Sequence, residues 1–232
     1  MCGRYVTPDE ASIERAYALT ARQWGPWMNE AYSASYNVAP SQRVPVFRVI
    51  RDVEGQRQLE PMRWGLVPFW AKGEPPRYST INATIEKLET APTWRGPWKR
   101  GQRCIMPAAG FYEWHEQPDG TKRPYYIRPA DEDEVFSIAG LWERSRTDDG
   151  EDVLSCALIT MPANELMAEI HNTKQRMPAI LAPEAVETWL TGTPEQAKAL
   201  LQPYPSEFMR AHPVSKRVNS PRNNDPELVA PV

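Results

Sequence analysis

Cysteine is nearly absent from this chain: Cys2, Cys104 and Cys156 are three residues in 232. An odd set without close spacing excludes a disulfide framework and a zinc knuckle. Histidine is as scarce, with only His115, His171 and His212, so a histidine-based metal site would have to recruit a cysteine, and no metal is expected. No apolar run reaches the roughly 18 residues of a membrane helix, and the start of the chain lacks the basic and apolar regions of a secretory signal. A positive excess is missing too. The net charge of −3 excludes indiscriminate coating of nucleic acid and leaves room only for a local basic groove. These absences predict a cytoplasmic chain with no membrane contact.

Proline, by contrast, is abundant at 24 residues, which predicts many loops and short strands, because proline fixes φ and has no N–H for a ladder bond. With 41% hydrophobic and 25% charged residues the composition is that of a globular protein, and the length fits one domain. Thr7-Pro8-Asp9-Glu10 joins an N-cap, a proline at the first helical position and a glutamate one turn on, and predicts a helix ending before Gly25-Pro26. Alternating apolar residues from Arg43 to Ile50, a turn over Asp52 to Gly55 and a partner run ending near Trp64 predict a β-hairpin. Further short strands are expected at Arg103 to Met106, Gly110 to His115, Tyr125 to Arg128, Val135 to Trp142 and Val153 to Thr160. Helices are expected at Asn164 to His171, Pro183 to Leu190 and Pro194 to Leu201, and no long element after Arg210. The pattern predicts an α+β domain around an antiparallel, barrel-like sheet with flanking helices.

The chemistry in the sequence starts at its second residue. Methionine aminopeptidases remove Met1 when the next residue is as small as cysteine, so the mature chain begins with a 1,2-aminothiol. An α-amine titrates near ~8 and a thiol near ~8.5, which makes both nucleophiles partly available at neutral pH without special tuning. Together they suit aldehydes: the amine forms an imine, and the tethered thiol closes a five-membered thiazolidine at high effective molarity. Gly3 adds backbone freedom beside the nucleophile, and Arg4 offers an anion clamp.

Cys2-Gly3-Arg4-Tyr5, Tyr36-Asn37-Val38-Ala39-Pro40, Trp64-Gly65-Leu66-Val67-Pro68, Asn82-Ala83, Gly110-Phe111-Tyr112-Glu113-Trp114, Ile170-His171, Arg176-Met177-Pro178 and His212-Pro213-Val214-Ser215 run in order along nearly the whole chain. In this set the chain resembles the SRAP family of abasic-site processing proteins. The resemblance implies a single SRAP domain over residues 1–232, the last dozen forming a tail. It implies a DNA-damage protein in which mature Cys2 links covalently to the ring-opened aldehyde of an abasic site in single-stranded DNA. Members carry the label SOS-response-associated peptidase, which adds lyase- or hydrolase-type activity and removal of the residue before the cysteine. The resemblance further implies catalytic roles for Asn82, Glu113 and His171. Asn82 would orient the sugar or the amine, Glu113 would transfer protons from a partly apolar site flanked by Tyr112 and Trp114, and His171 would assist ring opening. A helix C-terminus would favour the charged form of His171. Arg4, Arg95, Thr160 and Arg176 would contact phosphates, and Pro40 and Trp70 would support or wedge bases beside the lesion. The run Trp94 to Arg100, with aromatics between cations, suits a single strand unless its tryptophans turn inward.

Two departures from the family pattern stand out. Asn82-Ala83-Thr84 replaces the usual Asn-Ala-Arg, so Thr84 contributes one hydrogen bond and Lys87 the charge, without an arginine's fork. Asn172 to Gln175 is also a longer spacer than some members have, which leaves the reach of Lys174 and the placement of Arg176 open.

Two other readings compete. Class II glutamine amidotransferases also begin Met-Cys-Gly, although their usual continuation is missing here; a non-covalent single-strand binder with an incidental Cys2 is the other. The expectation is a monomer of bacterial type that needs no cofactor. Its partner is single-stranded DNA carrying abasic sites, at junctions with duplex, and it joins the nucleoid when bound to damage. Cys104 and Cys156 are expected to be buried and inert.

Overall fold

The computed structural model describes residues 2–18, 32–50, 56–132 and 134–232. Both the expected helix end before Gly25-Pro26 and the hairpin turn over Asp52 to Gly55 lie outside the described residues. Strand β1 is Tyr5–Val6 and helix α1 is Glu10–Tyr17. The helix starts later than the sequence predicts, because Asp9 caps it by accepting from the Ser12 N–H at 2.7 Å, while the Thr7 hydroxyl accepts from the Ser35 N–H instead.

The hairpin forms as β2 (Arg43–Ile50) and β3 (Gln56–Trp64), followed by a short β4 (Asn82–Thr84) and helix α2 (Pro92–Lys99). Next come β5 (Arg103–Ala108), β6 (Gly110–Glu116), β7 (Lys122–Pro129), β8 (Phe136–Arg146) and β9 (Asp152–Pro162). After α3 (Glu165–Ile170) follow β10 (Arg176–Pro178), β11 (Ile180–Leu181), α4 (Val186–Thr191), α5 (Pro194–Ala199) and β12 (Met209–Pro213). Among the described residues no helix is long and apolar enough to cross a membrane.

The larger sheet runs β10-β9-β3-β2-β5-β8-β11, and a further pairing of β8 with β9 closes β9, β3, β2, β5 and β8 into a ring. The barrel is mixed: β3 joins β9 in parallel through Arg63↔Ser155 and Trp64↔Cys156, and β4 also lies parallel to β9. Val46, Leu59, Cys104, Ala139, Ala157 and Ile159 are all buried in its core. The smaller sheet, β1-β6-β7-β12, is antiparallel and packs its other face on a second apolar cluster of Val6, Tyr112, Tyr126, Val214, Val218 and Leu228. Gly110 opens β6 where a Cβ would come within 2.5 Å of the Ile127 carbonyl, so only glycine lets the two strands meet there.

One stretch departs from the sequence expectation. Residues 92–99 form α2 with proline in the first turn, and the i, i+4 pair Trp94 and Trp98 lies on its inner face, buried in the core. These tryptophans are therefore withdrawn from any single strand, and only the cations of the run remain on the surface. The last dozen residues, expected as a tail, are docked: Leu228 is buried and Val214 bridges Pro231.

Candidate active site at Cys2

The register of β1 on β6 pairs Tyr5 with Phe111, and the Tyr112 N–H donates to the Arg4 carbonyl at 3.0 Å. Continuing this register sets Gly3 opposite Glu113 and Cys2 one position further, and Cys2 lies near enough to Glu113 to feel its charge. Cys2 is 1% exposed, and its Sγ–H points to the Arg4 carbonyl oxygen at 3.7 Å. From the barrel side, β4 places Asn82 so that its Nδ2 donates to the Cys2 carbonyl at 3.0 Å. The backbone at Cys2 is thus pinned between two sheets. Asn82 Oδ1 is buried with no hydrogen-bond partner among the described residues.

Glu113 follows Phe111 by two positions on β6 and shares its inward face, whereas Tyr112 and Trp114 point to the second cluster. The flanking aromatics therefore do not wall in the carboxylate, contrary to the sequence reading; the barrel-facing core does. Burial pushes the Glu113 carboxyl up to about 7, against the opposing pull of the chain's N-terminal amine, the Lys174 ammonium and a hydrogen bond from the Trp114 backbone.

His171 caps the C-terminal end of α3, and its Nδ1 is 3.0 Å from the Arg176 carbonyl. Nδ1 therefore carries the proton, which leaves Nε2 facing Glu113 Oε2 at 3.8 Å. That distance is too long for a hydrogen bond, and burial governs both groups. Burial lowers the His171 pKa, as do the N-terminal amine, Lys174 and Lys122, while the bond to the Arg176 carbonyl opposes it. The expectation that the helix end would favour the charged imidazole is overturned. A helix-terminal dipole contributes about 0.3–1 kcal/mol at an exposed site, and removing the ring from water outweighs it here.

Burial likewise raises the Cys2 thiol well above its usual range, reinforced by the Glu113 carboxylate and opposed by the N-terminal amine. A thiol held neutral in this way is not the freely available nucleophile that its type alone suggests. Cys104 and Cys156 are buried free thiols with raised pKa values.

The remaining sequence-predicted residues differ in exposure and in partners. Arg176 donates from Nη1 to Glu86 Oε1 at 2.6 Å and from Nη2 to Glu86 Oε2 at 3.1 Å and to the Thr160 carbonyl at 2.7 Å. Thr160 pairs with Thr84 across β9 and β4 and is fully buried, its hydroxyl without a partner among the described residues, so it does not present a surface contact to a phosphate. Thr84 is half-buried at the rim, with Lys87 exposed just beyond it, and Arg95 is exposed on α2. Pro40 is exposed, and Trp70, 46% exposed, meets Phe69 edge to face at 5.2 Å. Arg4 is already engaged: Nη1 donates to Asn37 Oδ1 and to the Val218 carbonyl, both at 2.8 Å, and Nη2 donates to the Asn219 carbonyl at 3.1 Å. Lys174 is exposed yet near enough to depress both Glu113 and His171.

Two residues escape the sequence reading. Asn37 is buried and its Nδ2 faces the carbonyls of Val218, Ser220 and Asn223, which makes it the clamp for the C-terminal segment. Its place in Tyr36-Asn37-Val38-Ala39-Pro40 was a signal; the Glu86 partnership with Arg176 left none.

A buried cysteine at position 2, an asparagine on its carbonyl and a glutamate facing a histidine sit where the small sheet meets a mixed barrel. The chain belongs to the SOS response associated peptidase (SRAP) family, whose profile matches residues 1–221. It is 43% identical over 201 residues to the abasic site processing protein YoqW of Bacillus subtilis, covering 85% of this chain and 86% of that one. To the abasic site processing protein HMCES of Gallus gallus it is 35% identical over 270 aligned positions, covering 100% of this chain and 78% of the relative. The fold is shared with the crystal structure of a protein from Bacteroides thetaiotaomicron, with a TM-score of 0.80 at 28% identity over 98% of this chain and 99% of that one.

Proposed function

We propose that this protein acts as a monomer that captures abasic sites in single-stranded DNA by closing a thiazolidine between mature Cys2 and the sugar aldehyde. The observation that carries the reading is the buried pair Glu113 and His171 beside a cysteine whose carbonyl Asn82 holds. Removal of Met1 supplies the free amine.

The reaction balances without a cofactor. In ring opening one member of the pair takes the proton of the sugar's C1′ hydroxyl and the other gives a proton to the ring oxygen, so the C1′–O4′ bond breaks and the aldehyde forms. The Cys2 amine attacks C1′, the carbonyl oxygen leaves as water, and an imine remains. The thiol sulfur then bonds to C1′ while its proton passes to the imine nitrogen, closing the ring. Because burial keeps the thiol protonated, the amine acts first and the thiol follows once Glu113 can accept its proton. Outside this core, exposed Trp70 and Pro40 provide faces for bases at a strand–duplex junction, and Arg95, Lys87 and Arg176 provide charge for the backbone.

The test is denaturing electrophoresis after incubation with an oligonucleotide carrying one abasic site, with Cys2→Ala and an intact strand as controls. A denaturant-stable band is expected only for the unaltered protein on the abasic strand, whereas Cys2→Ala should yield at most an adduct that survives after borohydride reduction. No such band from protein shown by mass to have lost Met1 would sink the reading, and Cys2-dependent glutaminase activity would replace it with amide hydrolysis.

A further inference from the structure

The rim of the site holds a carboxylate where an incoming strand carries phosphates. Glu86 occupies the guanidinium fork of Arg176 with both oxygens, at 2.6 and 3.1 Å, the two-pronged geometry that arginine also offers a phosphate. The Arg176 guanidinium draws Glu86 below its ordinary pKa, with a smaller pull from the Thr84 side chain, so the group is ionised at neutral pH.

The fork adjoins the chemistry. The Arg176 carbonyl holds His171, and Thr84 lies two residues beyond Asn82 on the same face of β4. The two partners are unequally fixed. Arg176 has a side chain 18% exposed and tied to the Thr160 carbonyl, whereas Glu86 is 53% exposed with water to swing into. The carboxylate is the displaceable member.

We infer that Glu86 is an internal phosphate surrogate, a specificity-determining residue that a DNA phosphate must expel before Arg176 can bind it. The inference rests on the proposed DNA-binding role of this rim. Expulsion weakens non-covalent binding to every strand alike, intact or damaged, and leaves lasting attachment to the covalent bond, which forms only at an aldehyde. It also compounds the missing arginine at position 84, because the fork of Arg176 is already filled.

The experiment compares Glu86→Gln with the unaltered protein for binding to an intact single strand across a range of salt. An exposed ion pair of this kind is worth a tightening of about three- to fivefold on its removal. In the Arg176→Ala background the gain should vanish. Glu89→Gln, which makes the same charge change but frees Lys198 instead, should not tighten binding. Intact strand should also inhibit crosslinking by Glu86→Gln at correspondingly lower concentration. Unchanged or weaker binding by Glu86→Gln, or an equal gain from Glu89→Gln, would overturn the inference. Absence of any crosslink from the unaltered protein would instead strike the functional reading, while the affinity arms still decide the role of Glu86.

Discussion

The inner and outer halves of the site obey different electrostatics. Around Cys2, Glu113 and His171, burial is the largest cause of every shift, and each group is pushed toward its neutral form. At the rim, Glu86 is held ionised by Arg176 and is largely open to water. On the proposed function, the contrast is a division of labour. Proton transfer needs groups whose two forms are close in energy, which desolvation supplies. Strand binding needs fixed charges that exchange partners at little cost, which solvent exposure supplies.

Removing an inner charge breaks this contrast most severely. Glu113→Gln should slow crosslinking by about 100-fold or more in single-turnover assays, the usual scale of a lost acid–base group. The same change should stabilise the fold at high pH. The folded pKa of Glu113 is raised from 4.5 to about 7, so the native state holds more protons than the unfolded chain between those values. Its stabilising contribution is full below pH 4.5 and lost as the pH rises through about 7. Glu113→Gln should therefore melt higher than the unaltered protein at pH 8, by a few degrees for a gain of about 1–2 kcal/mol, with the advantage gone near pH 4.5. Equal melting shifts at both pH values would show that burial is not the cause of the raised pKa.

Asn37→Ala comes next, since it strips several hydrogen bonds from a buried clamp. A loss of about 2–3 kcal/mol in urea unfolding is expected, together with earlier proteolysis after Val214. A variant as stable as the original would mean that the apolar contacts of Leu228 and Val218 alone secure the segment. The smallest effect belongs to the rim. Thr84→Arg should tighten single-strand binding by only about threefold, because exposed charges are screened and Glu86 will engage the new guanidinium too. An unchanged affinity in filter binding would remove position 84 from the DNA surface.

Much of the sheet was legible because strands such as β2 and β9 carry their apolar pattern locally. The parallel closure of β3 on β9 was not, since Trp64 meets Cys156 only through folding. Helix α2 was hidden by Gly96 and Pro97, which count against a helix until Trp94 and Trp98 find the core. Among site residues, the position of Cys2 suggested an aminothiol, and the family resemblance singled it out together with Asn82, Glu113 and His171. The sign of the His171 shift was misread because a helix end is visible in sequence and a desolvated ring is not. Glu86 and Arg176, 90 positions apart, form a pair that no local pattern encodes.

Arg4, two residues from Cys2, is bonded to a carbonyl 214 positions later in the chain. A ribosome must therefore finish almost the whole polypeptide before the start of it can settle. Until Val218 and Asn219 arrive, Arg4 and the strand start beside Cys2 lack this anchor. Residues made first are thus among the last to be fixed, and the order of synthesis is the reverse of the order in which this corner of the molecule sets.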